Sequence, residues 1–61
     1  MSTLPPEERR RVIFTAIVAA QDEGLSVEAS RTLIAGRYDI DTDVVRKIEN
    51  EGLDQGWLSE E

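Results

Sequence analysis

Apolar positions recur along this chain with a helical period, and three segments carry the pattern. Ile13, Ala16, Ile17 and Ala20 fall at i, i+3, i+4 and i+7, the spacing of a helix with one buried face. Pro5 precedes a proline and is pushed out of the α region, Pro6 suits a first helical position, and Glu7 and Glu8 complement the dipole of the first turn. A helix is therefore predicted from Pro6 to about Asp22, with Gly24 as its stop. The run Val12-Ile13-Phe14 has strand character, but the alanines and the helix-start signals outweigh it. Phe14 and Val18 form a second apolar stripe. A helix apolar over most of its girth is central in a fold or shared with a partner, and in so short a chain the reading favours a partner. The expectation is a homodimer through this first helix, with Phe14 and Val18 at the interface.

Ser26 can cap a second helix from Val27 to about Arg37. Its expected inward face is Val27, Leu33, Ile34 and Tyr38, and the small Ala35 and Gly36 would permit close helix approach. Asp39 then enters a short turn. Asp41 is the expected N-cap of a third helix, with Ile40 and Val45 placed as a hydrophobic staple. Val45, Ile48 and Gly52 make its inward line, flanked by Val44 and Leu53, while Thr42, Asp43, Arg46, Lys47 and Asn50 face outward. This helix should fray near Gly52 and end before Gly56, and Trp57 reads as a core plug. The pattern gives a small all-α three-helix domain with a helix-turn-helix in its second half. Residues 1–5 read as a flexible arm, 6–58 as the domain and 59–61 as an acidic tail.

Composition changes this picture in three ways. A chain of 61 residues buries only ~60% of the surface its unfolded form exposes, so packing or self-association must hold it together. Cysteine and histidine are absent, which removes disulfides, thiolate zinc sites and the usual proton-transfer residue. No apolar run is long enough for a membrane span, and the reading is of a soluble cytoplasmic protein.

Net charge is −6, and its placement is uneven. Residues 1–38 carry five acids and five bases, whereas residues 39–61 carry eight acids against Arg46 and Lys47. Nucleic-acid binders usually show a basic face instead.

The candidate chemistry narrows quickly. Asp39-x-Asp41-x-Asp43 has the opening of a calcium loop, but Val44 stands where that loop needs glycine and Asn50 where it needs a bidentate glutamate. The three aspartates are read as a helix start, and no metal or cofactor is expected. Glu49 and Glu51 lie i, i+2 on a helix and do not face each other, Ser26, Ser30 and Thr32 have no histidine to activate them, and there is no glycine-rich phosphate loop. The chain is not read as an enzyme. Arg9, Arg10 and Arg11 are the only basic cluster, either a solvated helix face or a contact for an acidic partner or, with Arg37, for phosphate.

The segment Ser30 to Leu53, SRTLIAGRYDIDTDVVRKIENEGL, resembles the helix-turn-helix of the fourth region of bacterial sigma factors. That family's pattern approximates T-L-x-E-I-A-x-R-F-G-V-S-x-x-x-V-R-x-I-E-x-x-A-L. Arg37, Tyr38, Ile40, Val45-Arg46, Ile48-Glu49 and Leu53 match it, Leu33-Ile34-Ala35 match less closely, and VRKIE is the most specific piece. The chain departs from the pattern at Asp39 (usually glycine), at Asp41-Thr42-Asp43 (often basic or hydroxyl residues) and at Gly52 (alanine). The resemblance implies a transcription-related DNA-binding module whose groove-facing residues are Thr42, Asp43, Arg46, Lys47 and Asn50. Arg46 has an equal claim as a structural partner of Glu49 or Asp43. Two further readings stand beside this one. The first is an interaction module on the same fold whose acidic face binds a basic protein, and the second is an accessory subunit without independent activity.

Overall fold

Pro6 is extended, with φ −61° and ψ 158°, and serves as N-cap, one residue earlier in its role than expected; helix α1 spans Glu7–Asp22. The computed structural model of the chain describes residues 4–59; residues 1–3 of the expected arm and residues 60–61 of the expected tail lie outside the described residues. The end of α1 is built around Gly24, whose φ of +104° is open to glycine at little cost. That turn lets the Leu25 N–H donate to the Ala20 carbonyl at 3.2 Å and the Gly24 N–H donate to Gln21 at 3.0 Å, closing carbonyls the helix would leave open.

Helix α2 spans Val27–Tyr38, and the Ser26 hydroxyl accepts the Ala29 N–H as an N-cap should. Asp39 ends it in the left-handed region at φ 59° and ψ 48°. Helix α3 spans Thr42–Gln55 and stops at Gly56, also left-handed at φ 73°. A 3₁₀ turn, Trp57–Ser59, follows. Asp41 occupies the N-cap position, but its side chain makes no cap hydrogen bond; its carbonyl takes the N–H groups of Val44 and Val45.

The three helices pack each against the other two, with no strand among the described residues. Ile13, Phe14 and Ile17 of α1, Ile34 and Ala35 of α2, and Val44, Val45 and Ile48 of α3 make one core. Each large side chain among them contributes about 1.5–3 kcal/mol of gross burial. Ile40 is partly buried and packs on this core, of which Val45 is a member. Trp57 is half-buried against it, its ring 5.7 Å from Phe14 at 76°, an edge-on pair, with the Arg11 guanidinium 5.1 Å above.

Five expectations are corrected by this packing. Phe14 is only 3% exposed, so its ring belongs to the core of its own chain and is not a surface for a second one. Val18 packs partly on the same core. Val27 and Leu33 are exposed, and α2 turns Ser30, Ile34 and Ala35 inward instead. Leu53 is likewise exposed, and Gly36 has no neighbour for an added Cβ to meet, so of the two small residues only Ala35 is buried. Finally, Gly52 does not fray α3. It is buried inside the helix, and a Cβ on it would overlap the Phe14 ring.

Candidate interaction surface on the third helix

Helix α3 is held by its inward residues and by two ionic clasps, and these decide which face remains free. Gly52 forms the notch into which Phe14 fits. Glu49 and Glu51 are two residues apart, about half a helical turn, and so they pair with arginines of different helices on either side of the inward line of α3. Glu51 takes two hydrogen bonds from Arg10, Nε to Oε1 at 2.7 Å and Nη2 to Oε2 at 2.9 Å, a bidentate clasp of α1 to α3. The third nitrogen of Arg10 donates to the Pro5 carbonyl at 2.7 Å. This pairing holds the Glu51 carboxyl below its ordinary range, chiefly through the hydrogen bond from Arg10, with burial opposing. The same bond raises the already high value of Arg10.

Glu49 joins all three helices. Arg31 Nε donates to its Oε1 at 2.8 Å, and Gln21 Nε2 donates to its Oε2 at 3.3 Å. Gln21 also reaches the Ser30 hydroxyl at 3.2 Å, and that hydroxyl donates to the Val27 carbonyl at 2.7 Å. Ser30 is completely buried, and no buried side-chain polar atom among the described residues lacks a partner. A satisfied polar network of this kind favours one arrangement of the helices over others.

Of the residues expected to face a groove, Thr42, Asp43, Arg46, Lys47 and Asn50 are all exposed on α3, and none is used in the core. Arg46 Nη2 donates to Asp43 Oδ1 at 3.5 Å, which settles its partner as Asp43; Glu49 is taken by Arg31. Beside them, Glu28, Arg31 and Thr32 of α2 face Thr42, Asp43 and Arg46 across a groove of about 280 Å³. The three aspartates at the turn are dispersed over a helix end, an N-cap and a first turn. Among the described residues no three His, Cys, Asp or Glu gather as metal ligands would.

The basic cluster divides. Arg10 is spent on Glu51, and Arg11 lies over Trp57 with its Nε 3.3 Å from Glu7. Arg9 and Arg37 remain exposed and line a common hollow with Pro5, Ile13, Tyr38, Asp39 and Ile40. Sequence reading missed the Gln21–Ser30–Glu49–Arg31 network and the Arg10–Glu51 clasp. The sequence holds one clue, Ser30 three residues after Val27 and four before Ile34 on one helical line; partners so far apart in sequence leave no periodic trace.

No helix among the described residues is long and apolar enough to cross a membrane. No family model, curated protein or solved structure was found to match the chain.

Proposed function

We propose that this chain is a small helix-turn-helix module that reads DNA with α3, in the manner its resemblance to the fourth sigma-factor region implies. The observation that supports this is the outward face of α3. Thr42, Asp43, Arg46, Lys47 and Asn50 share it, lie toward the start of the helix after a three-residue turn, and owe nothing to the core. Arg46 is available despite its ion pair. An exposed i, i+3 pair contributes about 0.2–0.5 kcal/mol, whereas a bidentate arginine–guanine contact contributes about 1–3 kcal/mol of discrimination, so the base wins.

The test is selection of duplexes from a random pool at low salt, followed by anisotropy titration. On a selected duplex, Arg46→Ala should weaken binding by about 5–150-fold, the equivalent of 1–3 kcal/mol. Lys47→Ala should weaken selected and unselected duplexes alike and lower the salt slope by about 0.9. No enrichment and no binding at low salt would sink the reading.

A second reading, an acidic module that binds a basic protein, is supported by the net charge of −6 and by the ion pairs that occupy Arg10, Arg11, Arg31 and Arg46. Glu51 has no place in such a surface, because Arg10 holds it. Asp43→Asn separates the two readings. It frees Arg46 and removes a carboxylate from the groove-facing set, so it should tighten DNA binding and weaken capture of a basic partner.

A further inference from the structure

We propose that the face of α1 and α2 turned away from α3 is a homodimer surface, on which a second copy packs its α1 antiparallel to the first. It is a different surface from the one containing Phe14. Three adjoining hollows run along this face: one lined by Pro6, Glu8, Arg9 and Val12, one by Arg9 and Arg37 near the turn, and one by Ala16, Ala19, Glu23, Leu25, Leu33 and Arg37. No residue of α3 lines any of them. The face exposes large apolar side chains, with Val12 53%, Leu33 47% and Leu25 38% accessible. In a domain with so small a core, such surface is costly to leave in water.

Charge identifies the occupant. Arg9, Val12, Ala16, Ala19 and Glu23 recur at spacings of three and four, one stripe along α1 and its C-cap residue that begins with a cation and ends with an anion. Arg9, Arg37 and Glu23 make no ion pair among the described residues. The stripe is about 21 Å long from Arg9 to Glu23 at the helical rise. A second copy laid antiparallel about a two-fold axis near Ala16 puts Arg9 beside Glu23 of the other chain at both ends. A parallel copy would put arginine against arginine and glutamate against glutamate. At the centre, Ala16 and Ala19 are small enough for the helix axes to approach at the short end of the usual 8–10 Å. Leu33 and Leu25 then cover the flanks. The surface is thus self-complementary in one orientation, which is what an isologous dimer requires.

This dimer stands independently of DNA reading by α3, and the experiment needs no DNA. Sedimentation equilibrium of the full chain at tens to hundreds of micromolar should show a species of twice the 6.8 kDa chain mass. Ala19→Arg and Leu33→Glu, both at exposed positions, should each return it to a single-chain mass with unchanged far-ultraviolet dichroism. Arg9→Glu and Glu23→Arg should each weaken self-association, and an equimolar mixture of the two variants should recover the dimer, because both contacts are then opposite in sign. A single-chain mass for the unaltered protein at hundreds of micromolar overturns the proposal. So does a dimer indifferent to Ala19→Arg and Leu33→Glu, which would place the contact elsewhere. A mixture that fails to recover overturns the antiparallel register.

Discussion

Two glycines in neighbouring helices answer the same substitution with opposite signs. Gly36 is exposed in α2 and an added methyl would meet nothing within 4 Å. Gly36→Ala should therefore stabilise by about 0.5–1 kcal/mol, the ordinary helix preference for alanine. Gly52 would gain the same preference but loses more, because its Cβ would enter the Phe14 ring, which Trp57 and the core hold in place. Overpacking costs about 1–3 kcal/mol, so Gly52→Ala should lower stability, and Phe14→Leu added to it should recover part of the loss. Urea denaturation of these three variants beside the parent checks both signs. Asp39 gives a third case. It is the only non-glycine residue with positive φ among the described residues, and it sets a negative charge at the C-terminus of α2. Both features oppose stability, so Asp39→Gly should raise it by about 0.5–1 kcal/mol, read as a higher urea midpoint.

At the scale of elements, periodicity located all three helices and the turn between the last two. It also set Ile13, Ile17, Ile34, Val45 and Ile48 in the core, where they are buried. It failed where rotation about a helix axis by part of a turn decides the outcome. Val27 and Leu33 are as apolar as Ile34, yet α2 is rotated so that Ser30 and Ala35 face inward, since small residues let α2 approach its neighbours. Phe14 looked surplus to α1 because the notch that receives it lies in α3, far along the chain. The clasp between Arg10 and Glu51 was invisible for the same reason, and it carries a pH dependence. Glu51 is held below its ordinary value, so the folded chain binds fewer protons than the unfolded chain as pH falls through the carboxylate range. The stabilisation is fully present above the unfolded value of about 4.3 and is lost as pH drops through the lower folded value. Glu51→Gln should thus melt below the parent at pH 7, with the gap narrowing as pH falls below the ordinary carboxylate range in parallel thermal melts.

For the whole molecule, the charge asymmetry was plain in the sequence, but its effect is smaller than the count suggests. Glu49 and Glu51 both belong to the acidic last third and are neutralised by arginines from the first two helices. Those same pairs withdraw Arg10 and Arg31 from any polyanion. With Arg9 and Arg37 in the proposed dimer surface, Lys47 and Arg46 (once released from Asp43) are the cations each chain keeps for phosphate, two per chain and so four per dimer. Four contacts at about 0.9 each bound the logarithmic salt slope at about −3.6, and affinities measured across a salt series should fall no more steeply. The outward set on α3 was legible because exposure on a helix follows from its period. Spacing left the partner of Arg46 open between Glu49 and Asp43, and geometry gives Asp43.

The ring contact at the end of the chain makes this protein its own spectroscopic probe. Trp57 is the only tryptophan, and its indole touches Phe14 of α1, lies beneath Arg11 and sits just past the end of α3. Its fluorescence therefore reports the junction of two helices and the C-terminal turn without a label. If that turn docks as part of one cooperative unit, the emission shift on heating and the loss of helical dichroism should share a midpoint. An emission change that precedes the loss of helix would instead mark the turn as a separate, earlier-melting unit.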